Sequence, residues 1–243
     1  MKRQILIWAL VLWFPVQCLA ADVDHGIYGE LLEKYVVKHR VNYAGFQREE
    51  ARLDQYLDRL SAVDPDQLTR NQAMAFYINA YNAYTIKLIL SKYPELNSIK
   101  ELGSFFSNPW NKKFIPLQGR TVTLDYIEHE VLRPRYKDPR IHFAINCASK
   151  GCPPLRNTPY TGLDLERELE EQTRAFINDP SRTFFRDNTL FVSKIFDWFG
   201  EDFDDNPEAF VRRYAEGELK AALDNARGNI KIAYLSYDWS LNR

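Results

Sequence analysis

QAMAFYINAYNAYTIKLIL, residues 72–90, decides the fold. It is apolar almost all the way round, with only a few polar residues spread along it. A helix on a protein surface carries one apolar stripe, whereas a helix without a polar face has to be surrounded. The stretch therefore reads as a central buried helix. Thr69 or Asn71 caps its start, and Tyr93-Pro94 stops it near Lys92.

Upstream, Leu31, Leu32, Tyr35 and Val36 recur at helical spacing and predict a helix over 25–38. A second helix is predicted over 46–60, with Leu53, Tyr56, Leu57 and Leu60 on one face. Downstream, 95–120 reads as loop. Its Phe105, Phe106 and Trp110 are too apolar for a free linker and are expected to pack down as a lid. A hairpin is expected around Gln118-Gly119-Arg120, a helix over 124–132 and a buried strand over 140–146, where polar and apolar residues alternate. A Pro- and Gly-rich loop covers 147–162, followed by a helix to Ile177 and a second hairpin around Asp187-Asn188. Helices over 195–199, 207–215 and 219–226 and a last strand over 230–235 complete the pattern. No repeat or internal boundary interrupts it. The expected fold is α+β: a single, mainly helical domain over 21–243 with a small β-sheet around the central buried helix.

The chain has 243 residues, 45% of them hydrophobic, which suffices for a sizeable core. Its net charge of −1 gives no basic excess for a nucleic-acid partner. Residues 1–20 read as a signal peptide: Lys2 and Arg3, an apolar run over 5–14, then Cys18-Leu19-Ala20 as a small-x-small cleavage site. The alternative is an uncleaved anchor. Gln17 argues against lipidation of Cys18, because that processing needs a small residue there. Cleavage leaves no stretch of membrane-spanning length and a protein exported to the periplasm of a Gram-negative source, or otherwise secreted. Cys147 and Cys152 remain, in a compartment that permits disulfides.

Three clusters carry candidate chemistry. Asn79 and Asn82 share one face of the central helix, either as a clamp on neighbouring loops or as oxyanion donors. Asp125, Glu128, His129 and Arg133 form either a base with its orienting carboxylate or a salt-bridged helix surface. His142, Asn146, Cys147, Ser149 and Cys152 lie where an element ends and a loop begins. On a regular strand Cys147 points away from His142, so His129 is the better partner for it. The two cysteines admit three readings: a disulfide, a reactive Cys147 with a histidine base, or a metal site with His142 and His129 that lacks a second ligand pair.

At these clusters the sequence resembles the family of domain of unknown function 547. The matching stretches are FYINAYNAYTIKLI (76–89), VTLDYIEHEVLR (122–133), DPRIHFAINCASKGCPPL (138–155), FIND (176–179), KIFDWFGEDF (194–203) and YLSYDWSLN (234–242). They cover essentially the whole chain after the signal peptide. The resemblance marks Asn79, Asn82, Glu128, His129, Arg140, His142 and Cys147 as motif positions. In plant-type members the position of Cys152 can be serine while that of Cys147 stays cysteine, which implies a role for Cys147 that needs no bridge. The family brings no settled activity.

The expected function is a Cys-His acyl hydrolase or transferase acting on a small-molecule or peptide-like substrate. Cys147 serves as nucleophile, His129 as base, Glu128 or Asp125 as orienter, Asn79 or Asn82 as oxyanion donor, and Arg140 and His142 in substrate binding. The alternative is an exported non-catalytic binding or structural domain with a Cys147–Cys152 disulfide. No cofactor or metal is expected, since no phosphate loop, dinucleotide fingerprint or zinc-protease helix is present.

Overall fold

The first helix among the described residues is α1 (Gly26–Tyr35), which runs into a hairpin of β1 (Val36–Val37) and β2 (Arg40–Val41). The structure, a computed structural model, describes residues 23–103 and 108–243. The predicted signal peptide, and Phe105 and Phe106 of the predicted lid, lie outside the described residues. The hairpin turn is made by Lys38 and His39, both at positive φ, +48° and +66°. The predicted helix over 46–60 is two helices, α2 (Tyr43–Arg48) and α3 (Glu50–Ser61). They part at Glu49, whose side chain is held by Lys34, Tyr35 and Arg52.

The central helix is α4 (Arg70–Leu90), and every residue from Ala73 to Ile86 is buried. Thr69 caps it: its hydroxyl accepts the Gln72 N–H, and the Gln72 side chain accepts the Thr69 N–H at 3.0 Å. α1, α2 and α3 pack around it, with Leu53, Tyr56, Leu57 and Leu60 inside as expected.

The predicted first hairpin is β3 (Ile115–Leu117) with β4 (Arg120–Val122). The helix that follows is wound as a π-helix over Tyr126–Leu132 and continues as α5 (Arg133–Tyr136). The predicted strand over 140–146 is instead one helical turn, α6 (Ile141–Ala144), before Ile145 returns to extended backbone. Asp138 starts the turn by accepting the Arg140 N–H at 3.0 Å. The alternation was misleading because Ile141, His142, Phe143 and Ala144 are all buried, so it records no solvent face.

α7 (Leu165–Ile177) leads to a three-stranded sheet. β5 (Phe184–Arg186) pairs antiparallel with β6 (Thr189–Val192), and after α8 (Ile195–Trp198), α9 (Pro207–Tyr214) and α10 (Gly217–Asn225), β7 (Lys231–Tyr234) joins β6 in parallel. A second core of Phe143, Phe176, Phe196, Phe203 and Phe210 lies under this half. α6 joins the two cores, with Ile141 in the first and Phe143 in the second. The fold is a mainly helical α+β domain with a small sheet and a central buried helix. Among the described residues no helix is long and apolar enough to cross a membrane.

Candidate functional site

Asn82 and Asn146 set the geometry of the cysteine loop. Asn82 points out of α4, accepts the Asn146 N–H at 2.7 Å and donates to the Ala144 carbonyl at 3.0 Å. The Asn146 side chain then accepts the Ala148 N–H at 2.9 Å and donates to the Pro153 carbonyl at 2.7 Å. Ala148 is thereby held at φ +64°, a conformation that costs an alanine about 1–2 kcal/mol. The loop turns back on itself, and Cys147 and Cys152 are joined by a disulfide. The Cys147 N–H donates to the Cys152 sulfur at 2.9 Å. The Tyr237 hydroxyl lies 3.3 Å from the Cys147 sulfur and 3.2 Å from that of Cys152. Gly151 makes room for this ring, because a Cβ there would stand 2.9 Å from Tyr237.

These sulfurs form one wall of a cavity of about 220 Å³. Opposite them the π-helix presents Glu128 and His129, with Asp125 one turn earlier. A π-turn widens the helix, and such turns recur at functional sites. Glu128 is buried, and burial pushes its carboxyl up to about 7 against a hydrogen bond from Tyr81 of α4. Tyr81 in turn hydrogen-bonds Trp110 of the predicted lid.

His129 is oriented by a cation, where sequence reasoning expected a carboxylate. Arg133 Nη1 lies 3.0 Å from its Nδ1, while Asp125 stands 3.7 Å from its Nε2. An arginine only donates, so Nδ1 accepts and the ring proton sits on Nε2. Arg133 is itself fixed by Glu201 and by Asp202, its Nε 2.6 Å from the Asp202 carboxylate. Asp202 also receives His142 Nε2 at 2.6 Å. Burial pushes the His142 imidazole below its ordinary pKa, so His142 is the neutral donor of this pair. Burial raises Asp202, but hydrogen bonds from His142 and Arg133 outweigh it and hold the carboxyl well below its usual range. Phe199 stacks on the His142 ring with centroids 4.1 Å apart.

The remaining wall is aromatic. Tyr237 packs on Trp239 at 4.6 Å and on Trp198 at 4.7 Å between centroids, and Trp110 meets Trp239 at 5.9 Å. Apolar faces edged by Glu128, His129 and two sulfurs suit a ligand with a flat or apolar part and a polar reacting group.

Four of the residues expected at the site, Glu128, His129, His142 and Cys147, therefore line one cavity. Asn79, Asn82 and Arg140 do not line it. Asn79 clamps Tyr160, accepting its N–H at 2.9 Å and donating to its carbonyl at 2.7 Å, and also meets His25. Asn82 is the equivalent clamp on 144–146, so both amides hold loops at the positions proposed for oxyanion donors. Arg140 is enclosed by Asp138 at 2.6 Å and Glu166 at 2.7 Å, which occupy the guanidinium that was to hold an anionic substrate group. His142 meets Asp202 and Phe199, where a substrate contact was expected. Trp110 was read as part of the lid; sequence reasoning missed Asp202, Tyr237, Trp198 and Trp239 as site residues. They lie within KIFDWFGEDF and YLSYDWSLN, stretches singled out without an assigned role. Among the described residues no three His, Cys, Asp or Glu side chains are grouped to hold a metal ion.

Residues 65–177 match the family described as Protein of unknown function, DUF547. No curated protein and no solved structure matches the chain. The matched stretch runs from just before α4 to the end of α7 and carries Glu128, His129, His142 and both cysteines; Asp202, Tyr237 and the stretches at 194–203 and 234–242 lie beyond it. Over residues 65–177 the chain thus shows the resemblance to the DUF547 family that its motifs carry.

Proposed function

We propose that the cavity is the active site of a thiol-dependent acyl hydrolase or transferase in an exported protein. The observation that carries this reading is the convergence of Cys147, Glu128 and His129 on one cavity from separate segments. Cys147 works once the bridge is opened. A dithiol gives two electrons and two protons to the sulfurs and leaves as its own disulfide, so Cys147 and Cys152 become thiols. Glu128, with its carboxyl near neutrality, takes the Cys147 proton. The thiolate attacks the acyl carbon, and the Nε2–H of His129 donates to the carbonyl oxygen as it becomes negative. Glu128 returns the proton to the leaving group, and water or a second acceptor then releases the acyl chain. Asp202 acts at one remove by fixing Arg133, which holds His129. The substrate is a small or peptide-like acyl compound whose apolar part rests on the tryptophans. The leader pattern over 1–20 and the disulfide both support export.

A second reading is an exported, non-catalytic binding domain. The bridge favours it, because it occupies both sulfurs. Two experiments separate the readings. Iodoacetamide labelling with and without dithiothreitol, mapped by mass spectrometry, locates the accessible thiol. A panel of ester and thioester substrates then compares reduced wild type with Cys147→Ser and His129→Ala. The enzyme reading expects turnover only after reduction, and a loss of about 100-fold or more in each variant. No turnover after complete reduction leaves the binding domain, and turnover independent of Cys147 overturns the thiol mechanism.

A further inference from the structure

On the other side of the sulfur pair lies a second, smaller cavity of about 190 Å³ with a different character. Lys38, His39, Arg40, Lys150, Arg182 and Arg243 line it, and no Asp or Glu does. Four chain segments bring these residues together, Arg182 coming from the turn between α7 and β5. The β1–β2 turn supplies the first three, and the cysteine loop supplies Lys150. The C-terminal segment is tied to both, since Val41 N–H donates to the Asn242 carbonyl at 2.8 Å and Asn242 N–H to that of Ala148 at 3.1 Å.

Arg182 is the rigid member. It donates to the Gly151 carbonyl at 3.0 Å and the Lys150 carbonyl at 3.2 Å, and pairs with Asp179 at 3.1 Å. Arg243 donates to the Asn97 side chain at 3.2 Å. Among the described residues no ion pair reaches Lys38, Arg40 or Lys150; Asp238 lies within electrostatic reach of Lys150. The turn that presents Lys38 and His39 keeps both at positive φ, where a two-residue hairpin favours Asn-Gly. This chain has two basic residues at that tip, in a protein whose charges otherwise balance.

We propose that this cavity binds a phosphate group, the dianion of a phosphate monoester or of inorganic phosphate. A dianion matches a site with several cations, Arg182 held rigidly among them, and no acidic side chain, and guanidinium and ammonium donors both suit its oxygens. The cavity has room for such a group, and the chain lacks the basic excess of a nucleic-acid binder. The phosphate comes either from a soluble ligand or from a phospholipid head group. The inference is independent of the acyl-transfer reading, since it involves neither Cys147 nor the acid-base pair.

The test titrates inorganic phosphate into the oxidised protein by calorimetry at constant ionic strength. Sedimentation with vesicles of phosphatidic acid in phosphatidylcholine, against phosphatidylcholine alone, runs beside it. The variants are Lys38→Gln with Lys150→Gln, both at exposed positions, and Lys220→Gln as a distant control. Saturable phosphate binding, weakened about tenfold or more by the double variant and unchanged in the control, supports a soluble ligand. Vesicle binding with the same dependence, without binding of free phosphate, supports a head group. Absence of both, or binding equally strong in the double variant, overturns the proposal. Ester hydrolysis unaffected by the double variant keeps this outcome separate from that of the acyl-transfer reading.

Discussion

The side-chain carbonyl of Asn82 accepts the backbone N–H of Asn146 at 2.7 Å, one residue before the first bridging cysteine. The central helix thus holds the cysteine loop directly, through a buried amide and not through packing alone. An amide in this position is structural before it is chemical.

Replacing Asn82 by Ala is therefore expected to lower unfolding free energy by about 2–4 kcal/mol. Two buried hydrogen bonds are lost, and the Asn146 N–H is left without a partner. Urea unfolding of variant and wild type measures this. A stable Asn82→Ala protein that has lost only turnover would restore the oxyanion role instead.

Glu128 gives a pH signature. Its folded carboxyl, raised to about 7, binds a proton that the unfolded chain releases near its ordinary value of 4.5. Its contribution to stability is greatest below that value and is lost as pH rises towards 7, by about 3 kcal/mol in all. Glu128 is only 8% exposed, so solvent screens little of this. Glu128→Gln removes the slope, and the difference between the two stability–pH curves isolates the group from His142. Parallel curves between pH 4.5 and 7 would contradict the burial argument.

Asp202 works in the opposite direction. Its carboxyl is held below the ordinary carboxylate range, so its contribution is present above about pH 4 and lost on further acidification. Asp202→Asn is expected to flatten the acid limb of the stability curve and to free Arg133 and His129. Histidine proton NMR should show the His129 ring shifted in that variant; an unmoved resonance would mean that Arg133 holds the ring without help.

The Tyr237 hydroxyl reaches both sulfurs. After reduction a hydroxyl donor stabilises a thiolate, so Tyr237→Phe should raise the pH midpoint of iodoacetamide labelling by about one unit. Gly151→Ala should have the same effect by a different route, since its Cβ displaces the ring. A midpoint unchanged in both variants would show that the hydroxyl makes no bond to the thiolate.

Much of the fold was legible in the order of apolar residues. The central helix announces itself because it has no polar face, and the hairpins at 115–122 and 184–192 are marked by their turn residues, whereas the one at 36–41 falls where the helix over 25–38 was expected to continue. The split at Glu49 was hidden because Lys34 and Tyr35, which hold that carboxylate, reach it from α1. The turn at 141–144 was hidden because a fully buried segment carries no periodic signal. Of the site, the acid-histidine pair and the cysteines stand out by residue type. Asp202 and Tyr237 reach it from 60 and 90 residues beyond His142 and Cys147, a distance that local spacing cannot bridge. A helix places Asp125 and Arg133 equally far from His129, and the structure sets both beside its ring, Arg133 at 3.0 Å from Nδ1 and Asp125 at 3.7 Å from Nε2.

The C-terminal segment has a consequence in time. Lys150 and Gly151 donate their N–H groups to the Ser240 and Asp238 carbonyls at 2.8 and 2.9 Å, and Asn242 closes on Asn146. These contacts span about ninety residues and are of the kind that form late in folding. A growing chain displays Cys147 and Cys152 well before residues 237–242 exist to cover them. An oxidant meeting the chain in that interval finds an open loop, whereas one arriving later finds sulfurs already set in a wall. The order of arrival decides which of these the oxidant sees.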